Sequence, residues 1–291
     1  MKRRKINLIF LWLSHFWDFD IVYVEVVVLI FINHDDLRSL ELMEECVRRG
    51  YYVTDQIKDI KYANVIYLGA KGIDRKNRLL THNETLILSD DFFSSLKKGS
   101  LVITLAYNSF LEQLAKKYGF KYVYLLENKM FIHLNSILTA EGLISYLIAH
   151  RRFPLYQSRI VVLGFGHCAK PIIEYLKAMH SDVYVVVRRK ELQKEIESMG
   201  CHFMFIEDMD LKDFDILINT VPQLIVDKEK LDQAHLQMMI VDIASYPYGV
   251  DHHYALTQGF NSIILPSIPS KYAYGYAGKM IIDEIERMLE N

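Results

Sequence analysis

The chain has 291 residues, 51% of them hydrophobic and 24% charged, with a net charge of −2. That length allows two domains of ordinary size, and the balanced charge excludes the basic footprint of a nucleic-acid binder. Three widely spaced cysteines, Cys46, Cys168 and Cys201, imply neither a disulfide framework nor a zinc site and fit a reducing cytoplasm.

At the start, Lys2-Arg3-Arg4-Lys5 before the apolar run Ile6 to Trp17 imitates a signal peptide, but no small-x-small cleavage site follows. His15, Asp18, Asp20 and Glu25 interrupt the run, whereas a membrane span needs about 20 predominantly apolar residues. Residues 1–22 are expected to be an N-terminal extension of a soluble chain with no membrane partner. Val24 to Ile32 then predicts a buried first strand. Asp35 or Asp36 caps a helix from Leu37 to Arg49, which Gly50 ends. Strands follow at Val65 to Leu68, Leu101 to Leu105 and Tyr122 to Leu125, with helices at Phe92 to Lys98 and Ser109 to Tyr118. A long amphipathic segment, Leu134 to His150, leads to the boundary Arg151-Arg152-Phe153-Pro154.

Arg159 to Arg189 is the most informative stretch. A strand ends at Leu163, a G-x-G-x-x-A turn carries Gly164, Gly166 and Ala169, a helix follows, and a second strand ends on Arg188-Arg189. Gly164 permits the tight turn, Gly166 admits a pyrophosphate close to the backbone, and Ala169 lets the helix pack near the strand. Phe165, His167 and Cys168 complete the turn, and the helix N-terminus offers N–H groups to an anion. An NAD site usually has Asp or Glu after the second strand for the ribose 2′-hydroxyl. Two arginines there suit the 2′-phosphate of NADP instead. Further on, Ile216 to Asn219 and Met239 to Ile243 predict strands. Asn219, Thr220, Val221 and Pro222, and then Asp242 and Ser245, lie at their C-terminal edges, where open α/β sheets bind ligands; Asp242 could equally be a cap. A last strand spans Ser262 to Leu265 and a final helix Tyr276 to Leu289.

The expected fold is α/β: two doubly wound Rossmann-like domains with a cleft between them, and a C-terminal helix packing back toward the first domain. Residues 23–150 form the substrate side and residues 151–291 the NADP-binding domain.

Several segments together resemble the family of dipicolinate synthase A-subunits, from spore-forming bacteria. Asp36-Leu37-Arg38 is similar to its D-x-R, and Asn135 to Gly142 to its N-S-I-P-T-A-E-G. Val161 to Ala169 follows V-L-G-x-G, Asp215 to Pro222 follows D-I-x-I-N-T-I-P, and Val241 to Gly249 follows L-D-L-A-S-x-P-G-G. The chain departs from this pattern at Leu138 (proline in the family), at Tyr248 (glycine) and at Asn33-His34, which replace the first-turn glycines. The resemblance implies NADP-dependent oxidation of dihydrodipicolinate to dipicolinate during sporulation, a CH–CH dehydrogenation. The implied partners are the dicarboxylate substrate, further copies of the chain and the flavoprotein-like B-subunit.

Within that reading Glu141 is the proton acceptor, with Ser136 beside it. Arg38, Asn135, Thr139 and Lys271 bind substrate carboxylates, a guanidinium in bidentate fashion and a helix start through its N–H groups. Alone, Arg38 would read as an exposed helix arginine and Lys271 as part of a surface loop. His252 and His253 read as solvated helix residues. Two other readings stand beside this one: another NADP-dependent two-domain dehydrogenase, or a non-catalytic NADP-binding partner.

Overall fold

The computed structural model describes residues 28–34, 36–81 and 84–290. The expected extension 1–22, the first part of the predicted strand (Val24 to Val27) and the alternative cap Asp35 lie outside them. The chain divides into two compact units. One comprises the residues up to Asn128 and again from Gly275; the other runs from Lys129 to Tyr274. The boundary read from the sequence, between residues 150 and 151, falls instead at the end of a helix.

The first unit holds β1 (Leu29–Ile32), α1 (Leu37–Arg48), β2 (Tyr52–Thr54), β3 (Val65–Tyr67), a small antiparallel hairpin of β4 (Arg78–Leu80) and β5 (Thr85–Ile87), α2 (Asp90–Ser94), β6 (Leu101–Thr104), α3 (Ser109–Tyr118) and β7 (Lys121–Tyr124). Its five-stranded sheet is parallel, in the order β2-β1-β3-β6-β7. Phe31, Ile66 and Val102 fill one face with Phe93 and Leu111. Asp36 caps α1 by accepting the Ser39 N–H, and Gly119, at φ 79°, closes α3. The predicted helix from Phe92 to Lys98 lies earlier: the Ser89 hydroxyl accepts the Phe92 N–H, fixing the start at Asp90.

The second unit begins with α4 (Lys129–His150), β8 (Arg159–Leu163), α5 (Ala169–Ala178), β9 (Asp182–Val187), α6 (Gln193–Ser198) and β10 (His202–Phe205). It continues through β11 (Ile216–Asn219), α7 (Lys228–Leu231), β12 (Met239–Asp242), α8 (His252–Thr257), β13 (Asn261–Ile264) and α9 (Ile268–Tyr272). Its sheet is parallel, in the order β10-β9-β8-β11-β12-β13, the dinucleotide-binding order. Alternate residues serve opposite layers: Ile160 and Val162 join Ile216 and Ile218 on one face, while Val161 and Leu163 join Leu217 on the other. Burial on both faces explains why these strands read as unbroken apolar runs.

α4 is not the amphipathic helix expected from 134. It starts at Lys129, is long and apolar enough to cross a membrane, and is mostly buried, packing on α5 and α9. The last helix, α10 (Tyr276–Glu290), packs on α1 within the first unit. Gly278 makes that crossing close, since an added Cβ would run into the Glu41 and Leu42 backbone. Arg49 locks it: its guanidinium pairs with Glu45 at 2.9 Å, Glu286 at 2.7 Å and Asp283 at 2.6 Å.

Candidate functional site

In the second unit the strand order reverses between β8 and β11, which opens a crevice at their carboxyl ends. Gly164 leaves β8 at φ 96°, where a Cβ would meet Thr220 Oγ1 at 2.7 Å and Val221 Cγ2 at 2.8 Å. Thr220 pins the two strand ends, its hydroxyl donating to the Leu163 carbonyl at 2.7 Å. Gly166 differs: a Cβ there would meet nothing within 4 Å, and its φ is not in the left-handed region. Its smallness therefore serves the space over the turn rather than the turn itself. No side chain caps the N-terminus of α5, which leaves first-turn N–H groups available to a ligand.

A cavity of about 490 Å³ opens here. Gly164, Phe165, Gly166, Arg188, Arg189 and Val221 all line it, joined by Gln223, Lys230, Glu207 and Asp227, which the sequence reading did not single out. Glu207 lies between β10 and β11 and Lys230 on α7 between β11 and β12, so their place at the crevice depends on those two connections and spacing alone carries no signal for them. Arg188 and Arg189 are exposed. Phe165 is buried, and the Lys170 ammonium lies 4.8 Å from its ring centre.

Asn219 and Asp242 are fully buried and absent from that lining. Asp242 accepts N–H groups from Ala244 at 2.9 Å, Gly249 at 2.8 Å and the Asn219 amide at 2.7 Å, and His252 Nε2 lies 3.2 Å away. The Asn219 amide also takes both Val221 backbone groups at 3.0 Å. With these bonds made, the two side chains shape the 220–222 and 244–249 loops. His252 is not the solvated residue expected: it bridges Asp242 and the Ser262 hydroxyl, the latter at 2.8 Å. Pro222 and Ser245 are exposed at the strand ends.

His167 lines a second cavity of about 610 Å³ with His133, Ile137, Lys170, Glu174 and Tyr175. The Cys168 thiol is pushed up by burial, the Ser136 hydroxyl 4.0 Å away opposing this, which disfavours the thiolate. Asn135, Ser136, Thr139 and Glu141 do not open a helix. They lie in α4 beyond its first turn, with the Ser136 and Thr139 hydroxyls donating to the Ile132 and Asn135 carbonyls at 2.7 Å. Met130, Phe131 and Ile132 extend the helix upstream, and back-bonded Ser and Thr are tolerated inside it. The exposed Glu141 accepts from the Tyr175 hydroxyl at 3.2 Å. Lys271 is exposed on α9.

Arg38 is not the exposed helix arginine its sequence setting suggests. It lies in the first turn of α1, 5% exposed, and its Nε and Nη1 have no hydrogen-bond partner among the described residues. Glu41, one turn on, is 2% exposed; its Oε2 accepts the Gly278 N–H at 3.0 Å and its Oε1 has no partner among the described residues. Burial raises the Glu41 carboxyl above the ordinary carboxylate range, against the opposing pull of the Gly278 and Gly275 N–H groups and of Arg38. The sequence signal for Glu41 was its place on the face of α1 that also buries Arg38, Leu42, Glu45 and Cys46.

A dinucleotide-ordered sheet, a glycine turn at its switch point and a cationic strand end define a dehydrogenase-type oxidoreductase that uses a nicotinamide cofactor. Residues 147–265 match the Shikimate / quinate 5-dehydrogenase family. The A-subunit of dipicolinate synthase from Bacillus subtilis (strain 168) is 29% identical over 209 residues, 71% of this chain and 70% of that protein. The crystal structure of the corresponding Bacillus halodurans protein superposes with a TM-score of 0.77 at 26% identity, covering 91% of this chain and 98% of that one. The Bacillus subtilis A-chain structure gives 0.77 at 25%, covering 91% and 96%. The chain is thus similar to dipicolinate synthase A-subunits over most of its length, in sequence and in fold.

Proposed function

We propose that the chain oxidises dihydrodipicolinate to dipicolinate with NADP⁺, in the cytoplasm of a sporulating cell, as an assembly of identical chains beside a flavoprotein-like B-subunit. The observation that carries the cofactor choice is the single cavity in which Arg188 and Arg189 meet the glycine turn. The α5 N–H groups and the space over Gly166 suit the pyrophosphate, and the arginines suit a 2′-phosphate. When bound, the nicotinamide ring supplies the hydride acceptor. The chain's own residues do the rest. The substrate ring loses a hydride and a proton as it becomes aromatic, and its two carboxylates need cations or N–H donors. Arg38 is the carboxylate ligand in this reading. Glu141, on α4 with Ser136, takes the proton.

The test is dipicolinate formation from enzymatically generated dihydrodipicolinate, with NADP⁺ or NAD⁺, with and without the B-subunit. Product formation with NADP⁺ preferred supports the reading. A Glu141→Gln variant with a depressed kcat supports the proton role. NADP⁺ binding without product under any combination would leave a non-catalytic NADP-binding partner.

A further inference from the structure

The cavity at the glycine turn is lined by a cation that neither the turn nor the strand-end arginines account for. In the sheet of the second unit β9 lies on one side of β8 and β11 on the other. Arg188 and Arg189 reach the cavity from the β9 side, whereas Lys230 reaches it from α7, which follows β11. Lys230 is half-buried, and its ammonium has no hydrogen bond or ion pair among the described residues. Its backbone is fixed, because the Lys230 N–H donates at 3.1 Å to the Asp227 carboxylate that caps α7. That carboxylate is committed to the helix start. Glu207, the other acid of the lining, follows β10, on the far side of β9. The basic residues next to the turn serve elsewhere: His167 and Lys170 line the second cavity, and Lys170 pairs with Glu195. A half-buried ammonium without a pair has lost solvation with no return, so an anion brought to it is favoured.

A dinucleotide crosses such a crevice with its pyrophosphate over the glycine turn and one half on either side. The arginines mark the side of the adenine ribose, so an anion on the β11 side of them is the pyrophosphate and not the 2′-phosphate. The end of α5 supplies only about half an elementary charge, less than a pyrophosphate carries. We infer that Lys230 is a ligand of the cofactor pyrophosphate, its ammonium supplying the charge that the α5 N–H groups leave unmet. This rests on the reading above that the cavity takes a nicotinamide dinucleotide, and it is independent of the substrate oxidised. It also divides the work of the site. The arginines tell NADP from NAD, and Lys230 holds what the two cofactors share.

The full-length protein tests this by calorimetric titration with ADP, 2′,5′-ADP and AMP. The first two carry the same number of phosphates, but only ADP has a pyrophosphate. The wild type is expected to bind each of them more tightly than AMP. Lys230→Met removes the charge, keeps much of the apolar stem and leaves the Asp227 cap in place. It should weaken ADP about tenfold, the usual weight of one charge-assisted hydrogen bond, and change 2′,5′-ADP by less than about threefold. NADP and NAD should lose the same factor as ADP, and Lys230→Arg should restore most of it. Arg188→Asp should give the reverse pattern, weakening 2′,5′-ADP and sparing ADP. Lys230→Gln carries the same expectation as the methionine variant should that one not fold. An ADP affinity untouched by loss of the ammonium in a protein with an unchanged melt, or a loss confined to 2′,5′-ADP and NADP, overturns the assignment. ADP bound no better than AMP by the wild type would count against the cofactor reading and the lysine together. A preference for ADP that survives in the Lys230 variants would count against the lysine alone, and NADP binding without dipicolinate formation against the proposed reaction alone.

Discussion

Both sheets reverse their strand order beside their first strand, yet the turns that follow are chemically unlike. After β8 the turn is Gly164 to Cys168, and what it offers is backbone: uncapped N–H groups and an open space over Gly166. After β1 there is no glycine. Asn33 is buried there, its amide donating to the Leu80 carbonyl at 2.9 Å, and the unused polar groups are side chains, Arg38 and Glu41. One topology supports two ways of holding an anion. A backbone cradle suits a phosphate at the helix start, whereas a guanidinium without a partner suits a planar carboxylate. A dinucleotide shared by many enzymes suits the first; a substrate that must be distinguished suits the second.

The sharpest way to break this comparison is Gly166→Val. Among the described residues nothing lies within 4 Å of an added Cβ, so the melt should stay within a degree or two of wild type, while NADP affinity falls by roughly two orders of magnitude. Unchanged binding in a fluorescence titration would mean that the turn is not the cradle. Next in size is Asp242→Ala, which strands the Ala244 and Gly249 N–H groups and the Asn219 amide. A loss of about 3–5 kcal/mol in urea unfolding is expected, with NADP affinity lowered only through the loosened 220–222 loop.

Arg188→Asp should cost NADP about tenfold to a hundredfold in affinity and leave NAD unchanged or improved. Tighter NAD binding by the unaltered protein would sink the 2′-phosphate assignment. A smaller effect concerns the α1–α10 crossing. The Arg48 guanidinium, burial notwithstanding, holds the Glu45 carboxyl below its ordinary range, and Arg49 adds to this. The folded value lies below the unfolded one of about 4.3, so this stabilisation is complete above that pH and disappears as pH falls through the folded value. Glu45→Gln should therefore destabilise at neutral pH by about 1–3 kcal/mol and converge with wild type in acid. A gap independent of pH would show that packing, not charge, is lost. The smallest change is expected from Tyr248→Gly. Tyr248 sits at φ 67°, a conformation glycine adopts freely, but its ring also lies edge-on to Tyr246 and His252. Strain relief and lost ring contact oppose each other, leaving a net change within about 1 kcal/mol in chemical denaturation.

The fold of the second unit was legible from the sequence because its signals are local. Gly164, Gly166 and Arg188 lie within one strand-turn-helix-strand unit, and the turn from Leu163 to Ala169 formed where the spacing put it. Strands β8, β11 and β12 were equally plain, each an apolar run flanked by polar residues. Three-residue β2 and the β4–β5 hairpin were missed, being too short to show a period. The Asn135 to Glu141 segment misled because its capping-type residues look like a helix start, while the apolar residues before it, which set the true start, carry no cap signal. Arg38 could be placed on α1, but its burial could not be read, since that depends on α10 packing against α1 from more than two hundred residues away.

That return of α10 has a bearing on how the chain is made. The second unit is complete in sequence once Tyr274 has been synthesised, whereas the first lacks a helix until the chain has been extended through residue 290. Domains tend to fold as units during synthesis, the earlier ones first. Here that order is inverted. The residues translated first must wait with the apolar face of α1 uncovered, and the inserted unit matures ahead of its host. A nascent chain stalled at Tyr274 should therefore present a protease-resistant second unit and a protease-sensitive first one.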